Sequence, residues 1–102
     1  MNKIAIVGIG RVGLPLALYM ESVGFKVIGV DRDKNLIKSL KKKEMPFEEP
    51  GCQNLLNKSQ IDFTDDFESL TKASHIFITV GTPLLAHLET DLSNVKKVIK
   101  SL

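Results

Sequence analysis

Three short apolar runs mark the chain, and each predicts a β-strand. The first two are Lys3-Ile4-Ala5-Ile6-Val7 and Lys26-Val27-Ile28-Gly29-Val30. The third is His75-Ile76-Phe77-Ile78-Thr79-Val80. A strand in a parallel sheet reads as a continuous apolar run because helices cover both of its faces. We therefore expect the third run to form a strand that is buried on both faces.

The segment between the first two runs has the spacing of a helix. Over residues 14–23 the apolar positions cover a wider face than a solvent-exposed helix needs. We therefore expect this helix to be covered by the sheet and elsewhere. Its buried stripe is predicted to comprise Leu14, Ala17, Leu18 and Val23, widened by Leu16 and Met20. Gly24 is placed to end the helix as a C-cap glycine.

Weaker patterns predict shorter elements further along the chain. They are a helix over 33–42, a helix over 53–58, an edge strand over 61–64, and a helical turn through Phe67 and Leu70 that Asp65 or Asp66 caps. Two prolines and no periodicity make 44–51 a loop. A last helix is expected from Asp91 or Ser93. Its pattern continues to Leu102 without a glycine cap, so we take the chain to be cut inside it.

The turn between the first strand and the first helix carries the candidate chemistry. It reads Gly8-Ile9-Gly10-Arg11-Val12-Gly13. Gly8 permits the tight turn, Gly10 lets a pyrophosphate approach the backbone, and Gly13 lets the helix pack close to the strand. The first amides of the helix have no partner inside it and lie at the positive end of its dipole. They can therefore hold a phosphate without a basic side chain.

Asp31 ends the second strand, about 20 residues beyond the glycine turn, as a ribose-binding acid would. At this position its carboxylate can accept hydrogen bonds from both ribose hydroxyls. It favours NAD over NADP, because a carboxylate repels a 2′-phosphate. Arg32 and Lys34 follow closely. One of them stacks on the adenine or meets a 2′-phosphate, or both are solvated charges at a helix start.

Gly81-Thr82-Pro83 directly follows the third apolar run. Ligands of open α/β sheets bind beyond the carboxyl ends of the strands, so this turn should share an edge with Gly10 and Asp31. There Thr82 offers a hydroxyl and Gly81 permits close approach. The alternative is an ordinary strand exit held rigid by Pro83.

The order of elements predicts an α/β fold: a Rossmann-type parallel sheet with helices on both faces. About four strands are expected, in the order 3-2-1-4, where a complete dinucleotide fold has six. Residues 1–102 are therefore predicted to be one truncated N-terminal dinucleotide-binding domain. The outer edge of the sheet at 76–80 should be open, which favours self-association.

Composition and charge exclude several function classes. Hydrophobic content of 43% and charged content of 25% indicate one soluble globular domain. A net charge of +2 does not argue for nucleic acid, and we take Lys41-Lys42-Lys43 as a solvated helix end. No signal peptide is evident, and no apolar run approaches the roughly 20 residues that cross a bilayer. A cytoplasmic protein without membrane contact is expected.

No residue pattern supplies acid–base or nucleophilic chemistry. A single cysteine, Cys52, excludes an internal disulfide and a cysteine-cluster metal site. Its place before a helix could acidify the thiol, but no spacing ties a base to it, so we expect a half-buried structural cysteine. His75 opens a strand, and His87 has no partner acid fixed by spacing. We assign no catalytic residue and no metal ligand.

Several of these motifs together resemble the N-terminal part of the nucleotide-sugar (UDP-glucose/GDP-mannose) 6-dehydrogenases. The matching segments are the glycine turn with its extension Leu14-Pro15-Leu16-Ala17, then Glu49-Pro50-Gly51, Val80-Gly81-Thr82-Pro83-Leu84 and Asp91-Leu92-Ser93-x-Val95. They occur in the family's order and span essentially the whole chain. Two positions depart from the family pattern: Cys52 stands where leucine is usual, and Leu36 where a basic residue is common.

This resemblance implies a two-step, NAD-dependent oxidation of a UDP- or GDP-sugar C6 alcohol to the uronic acid, through an aldehyde. It implies that Asp31 binds the adenosine ribose and that Thr82 contacts the cofactor. The family's catalytic cysteine, lysine and asparagine lie in later segments, so the isolated chain is expected to be inactive. The full-length protein is expected to be a homodimer that takes a UDP-sugar substrate.

The complete predicted NAD site comprises Gly8, Ile9, Gly10, Arg11, Val12, Gly13, Asp31, Arg32, Gly81, Thr82 and Pro83. Two other interpretations share the glycine turn and the acid: a nucleotide-sensing regulatory domain of the potassium-channel type, and a different dehydrogenase with the same cofactor fold. The extension at 14–17 and the turn at 81–83 favour the nucleotide-sugar dehydrogenase over the regulatory domain.

Overall fold

The computed structural model describes residues 3–79, which form one parallel sheet with helices on both faces. The strands are β1 (Lys3–Val7), β2 (Lys26–Val30), β3 (Asp62–Thr64) and β4 (His75–Ile78). The helices are α1 (Gly13–Ser22), α2 (Lys34–Lys41), α3 (Cys52–Lys58) and a 3-10 helix (Phe67–Lys72). These bounds agree with the predicted elements to within about two residues, except that the 3-10 helix extends past Leu70. Its N-cap is Asp66, whose side chain accepts the Glu68 N–H.

The strand order is β3-β2-β1-β4, and every pair is parallel. This confirms the predicted order 3-2-1-4. In the register of the sheet, Val7 lies opposite both Val30 and Ile78, which places the ends of β1, β2 and β4 side by side. The segments that leave these strands therefore begin at one edge of the sheet.

The core has two layers because alternate residues of each strand point to opposite faces. Ile4 and Ile6 of β1 pack with α1, α2 and α3. Ala5 and Val7 point the other way and pack with Ile28, Val30 and Leu70, the last from the 3-10 helix. Both layers fix β1 at the centre of the fold.

The outer strand β4 differs from its prediction. All four of its residues are exposed, with Ile76 at 38% and Ile78 at 47%, whereas burial on both faces was expected. Among residues 3–79, β4 pairs with β1 on one side only and has no strand on the other. Self-association through this open edge stays a prediction.

The outer face of α1 is also more exposed than the sequence indicated. Leu14, Ala17 and Leu18 are buried, but Tyr19 and Val23 are 61% and 53% exposed. The assignment of Val23 to the buried stripe was therefore wrong. The helix ends at Ser22 and the chain turns away through Gly24, whose φ of 109° only glycine adopts readily.

Lys43 does not belong to a fully solvated basic run. Its φ of 64° places it in the left-handed region as α2 ends, and its N–H donates to the Leu40 carbonyl. The half-buried side chain reaches across to donate to the carbonyl of Ser59, at the end of α3. A cation is favourable at this negative end of a helix. Lys41 and Lys42 are exposed, as predicted.

Cys52 is a buried structural residue at the start of α3. Burial raises the pKa of its thiol, and the nearby Glu49 carboxylate raises that pKa further. The expectation that the helix dipole lowers the pKa of this thiol was therefore wrong, because desolvation of the thiolate raises it. The thiol stabilises the fold fully below its unfolded pKa of about 8.5, and this contribution is lost as the pH rises through the higher folded-state pKa.

We expect Ellman's reagent to modify Cys52 in the native chain at least about tenfold more slowly than in urea at the same pH, because the thiolate is the nucleophile. Time courses of thiol release in both states measure this ratio. Equal rates would mean that the thiol is neither buried nor protonated as the structure indicates.

Candidate functional site

Three strand ends meet at one edge of the sheet and define the candidate site. The glycine turn follows β1, Asp31 follows β2 and Thr79 follows β4. The Gly8 N–H donates to the Val30 carbonyl, and the Thr79 N–H donates to the Val7 carbonyl, each at 2.8 Å. These bonds extend the parallel ladders by one step and hold the three segments in fixed positions.

Asp31 is bonded to the glycine turn. One carboxylate oxygen, Oδ2, accepts the Ile9 N–H at 2.8 Å, and the other, Oδ1, accepts the Asp33 N–H at 2.9 Å. The side chain therefore ties the turn after β1 to the end of β2. Each carboxylate oxygen accepts more than one hydrogen bond, so these contacts leave acceptor capacity for a ligand's hydroxyls. Sequence reasoning found Asp31 but missed this bond.

The glycines of the turn serve different purposes. Gly8 has a φ of 90°, which the sharp exit from β1 requires. A Cβ built on Gly13 would lie 1.7 Å from the Gly8 carbonyl oxygen, so no side chain fits there. A Cβ on Gly10 would have no neighbour within 4 Å among residues 3–79. The fold therefore needs glycine at position 13, whereas position 10 is open towards solvent.

Backbone amides at the start of α1 form a cradle for an anion. The Leu14 N–H donates to the Gly10 carbonyl at 3.0 Å and closes the turn. The N–H groups of Arg11, Val12 and Gly13 donate to no acceptor within residues 3–79, and no side chain caps this end of the helix. They lie at the positive end of the α1 dipole, where a phosphate binds favourably.

Thr79 is a site residue that sequence reasoning missed. Its hydroxyl lies 2.6 Å from the Gly8 carbonyl oxygen and 3.2 Å from that of Val7, and it donates to the nearer. It also lies against Gly13, since a Cβ there would be 2.5 Å from Thr79 Oγ1. The available signal was a hydroxyl residue at the end of an otherwise apolar run.

Arg11 brings a second loop to the turn. Its guanidinium carbon is 5.2 Å from the centroid of the Phe47 ring, within range of a cation–π interaction. Phe47 belongs to the loop over 44–51, and no sequence signal linked it to the glycine turn. The contact therefore places this loop beside the glycine turn.

Eight of the eleven predicted contact residues lie in the described part of the chain. They are the glycine turn (Gly8, Ile9, Gly10, Arg11, Val12 and Gly13) and the two residues that follow β2, Asp31 and Arg32. The Ile9 side chain is fully buried, so only its backbone belongs to the turn. Gly81, Thr82 and Pro83 lie outside the described residues, as do His87 and the predicted last helix. Lys34 Nζ lies 3.9 Å from Asp65 Oδ2 in an exposed ion pair. Such a pair contributes little to stability.

The described part of the chain offers neither a metal site nor a membrane-spanning helix. No group of three His, Cys, Asp or Glu side chains within residues 3–79 could hold a metal ion. None of the helices formed by these residues is long and apolar enough to span a membrane.

The close contact at Gly13 predicts a large difference between two alanine variants. We expect Gly13→Ala to lower the free energy of unfolding by about 3 kcal/mol or more, because its Cβ would overlap the Gly8 carbonyl. Gly10→Ala is the matched control and should change it by no more than about 0.5 kcal/mol. Urea unfolding of both variants measures this. Similar stabilities for the two would contradict the packing at Gly13.

The chain is similar in sequence to known dehydrogenases. A UDP-glucose 6-dehydrogenase of Bacillus subtilis is 40% identical over 107 residues, which cover 100% of this chain but 23% of that protein. The chain therefore spans about a quarter of the length of this relative.

Solved structures are similar to the fold as well. A GDP-mannose dehydrogenase from Pseudomonas aeruginosa superimposes with a TM-score of 0.80 at 31% identity, over 90% of this chain and 24% of that one. A UDP-D-ManNAc dehydrogenase from Pyrococcus horikoshii superimposes with a TM-score of 0.82 at 30% identity, over 94% of this chain and 25% of that one. Both are dehydrogenases, which favours that interpretation over the regulatory-domain alternative.

The family-level comparison covers almost every residue. The "UDP-glucose/GDP-mannose dehydrogenase family, NAD binding domain" matches residues 2–102. With the glycine turn, the acid after β2 and the parallel sheet in the order 3-2-1-4, the chain belongs to the UDP-glucose/GDP-mannose dehydrogenase family and represents its NAD-binding domain.

Proposed function

We propose that this chain is the NAD-holding part of a nucleotide-sugar 6-dehydrogenase, which oxidises the C6 alcohol of a UDP- or GDP-sugar to the uronic acid in two NAD-dependent steps. The observation that carries the proposal is the bond between Asp31 and the Ile9 amide. It joins a ribose-binding acid and a phosphate-binding turn into one unit, which is the arrangement that a dinucleotide requires.

Each part of the cradle has a distinct task. The amides of Arg11, Val12 and Gly13 and the α1 dipole hold the pyrophosphate, and the bare backbone at Gly10 lets it approach. Asp31 accepts hydrogen bonds from the adenosine ribose while it retains those from Ile9 and Asp33. Arg32, Gly81, Thr82 and Pro83 are proposed as further contacts. When bound, NAD supplies the hydride acceptor for the oxidation.

Substrate binding and proton transfer belong to other parts of the longer protein. We propose a UDP-sugar substrate, a homodimer and a cytoplasmic location for the full-length enzyme. The relatives' names support the UDP-sugar substrate, and the share of their length that this chain spans supports a longer protein. The homodimer rests on the family resemblance, and the cytoplasmic location rests on the sequence analysis. We further propose that the isolated chain is inactive, so NADH formation from a nucleotide sugar by these 102 residues would contradict that assignment.

The Gly10→Ala variant tests the pyrophosphate cradle without disturbing the fold. A Cβ at this position has no atom of the described residues within 4 Å, but it would occupy the space through which the pyrophosphate approaches the turn. We expect calorimetric titration to show NAD binding by the wild type and at least about tenfold weaker binding by Gly10→Ala. Equal melting temperatures of the wild type and Gly10→Ala would show that the variant keeps the fold. Unchanged NAD affinity would exclude this turn as the phosphate site.

Variants of Asp31 need more care, because the side chain also holds the turn. Asp31→Ala removes the acceptors of two N–H groups and should cost about 1–2 kcal/mol of stability. Its weaker NAD binding would therefore not isolate the ribose contact. Asp31→Asn keeps one acceptor oxygen but removes the charge that repels a 2′-phosphate.

We expect the wild type to prefer NAD over NADP by at least about tenfold, and Asp31→Asn to reduce that preference. Titration of both proteins with NAD and NADP measures the ratio of affinities. A folded Asp31→Asn variant with the wild-type ratio would show that Asp31 does not face the ribose.

A further inference from the structure

Arg11 places a positive charge in the glycine turn itself. It sits between Gly10 and Val12, next to the amides that form the anion cradle. No carboxylate within residues 3–79 pairs with its guanidinium, and the ring of Phe47 is its partner there. The Phe47 ring offers no oxygen acceptor, so this contact leaves the N–H donors of the guanidinium available for other acceptors.

The Phe47 ring packs against the core, although the residue belongs to a loop. It is half-buried and packs, with Met45 and Leu55, against the core cluster between the sheet and the α-helices. The contact with Arg11 therefore attaches a long, flexible side chain to the core of the fold.

The loop that carries Phe47 is also anchored at its base. The Gln53 side-chain amide donates to the Lys43 carbonyl at 2.8 Å, and its oxygen accepts the Met45 N–H at 3.3 Å. At the other end of the loop, the Cys52 N–H donates to the Glu49 carbonyl. These bonds join the loop to the end of α2 and the start of α3, and none of them involves the glycine turn.

We propose that Phe47 is a positioning residue for the dinucleotide's phosphates: its ring holds the Arg11 guanidinium beside the turn amides, ready to donate to the pyrophosphate. This inference rests on the proposed function of the turn. An arginine loses considerable conformational freedom when it binds a ligand, and prior ordering of its side chain reduces that loss on binding. The guanidinium edge then supplies charge-assisted hydrogen bonds to phosphate oxygens.

A double-mutant cycle on NAD affinity tests the coupling between the two side chains. The variants are Arg11→Met, Phe47→Leu and the combination, measured by calorimetric titration. We expect each single change to weaken NAD binding about three- to fivefold, and the combination to weaken it by no more than the larger single effect. Phe47→Tyr is the matched control, because it keeps an aromatic face and should bind NAD as the wild type does.

Ionic strength separates positioning from a merely structural role. If Phe47 acts through the Arg11 charge, the loss in Phe47→Leu should shrink as salt is added, because the charge is increasingly screened. A loss due to poor packing of the loop would not change with salt. Melting temperatures of all variants are compared, and Phe47→Met replaces Phe47→Leu if the latter does not fold.

The possible results are distinguishable. Three results would each overturn the inference while leaving NAD binding intact. The first is a double variant whose loss of NAD affinity equals the product of the two single losses. The others are a loss in Phe47→Leu that does not change with salt, and an Arg11→Met variant with unchanged NAD affinity. Absence of NAD binding in the wild type would instead overturn the proposed function, and this inference with it.

Discussion

The start of α1 lies so close to the end of β1 that no side chain fits between them. The position of a Cβ on Gly13, 1.7 Å from the Gly8 carbonyl oxygen, sets this constraint. Because the helix begins there, the amides of its first turn and the positive end of its dipole lie at the edge where β1, β2 and β4 end. Thr79 closes the same contact from the side of β4 by donating to the Gly8 carbonyl. The geometry of the anion cradle therefore follows from one close approach of backbone to backbone.

The candidate site is built mainly from the backbone, and its few side chains organise that backbone. Asp31 accepts the Ile9 N–H across the turn, and Thr79 fixes the Gly8 carbonyl. Ile9 buries its own side chain completely in the core beneath the turn. Such a site is ordered before a ligand arrives, so binding does not have to include the cost of ordering the turn.

Local sequence signals predicted the fold and the glycine turn well. Strand identity follows from apolar runs, and capping chemistry narrowed the N-cap to Asp65 or Asp66; both signals act within a few residues. Strand order follows from the dinucleotide-binding pattern of strand, glycine turn, helix, strand and acid. The prediction of burial for β4 failed because an apolar run does not show whether other elements cover the two faces of the strand. Val23 was misplaced for a related reason, since helical spacing does not show where the chain turns away.

The contacts that sequence reasoning missed join residues far apart in the chain. The Thr79 hydroxyl donates to the Gly8 carbonyl, and the Phe47 ring makes a cation–π contact with the Arg11 guanidinium. The Lys43 side chain donates to the Ser59 carbonyl, where the run of lysines indicated only solvent. Each of these partners is brought close by the packing of whole elements, so no spacing rule along the sequence identifies it.

The two bonds that Asp31 makes within the protein have a consequence for how cofactor preference evolves or is engineered. A small neutral residue in its place would admit a 2′-phosphate, but it would also leave the N–H groups of Ile9 and Asp33 without their acceptor. A lineage that moved towards NADP would need a second change that supplies a new acceptor for the Ile9 N–H. Cofactor choice and the stability of the turn are therefore inherited together at this position.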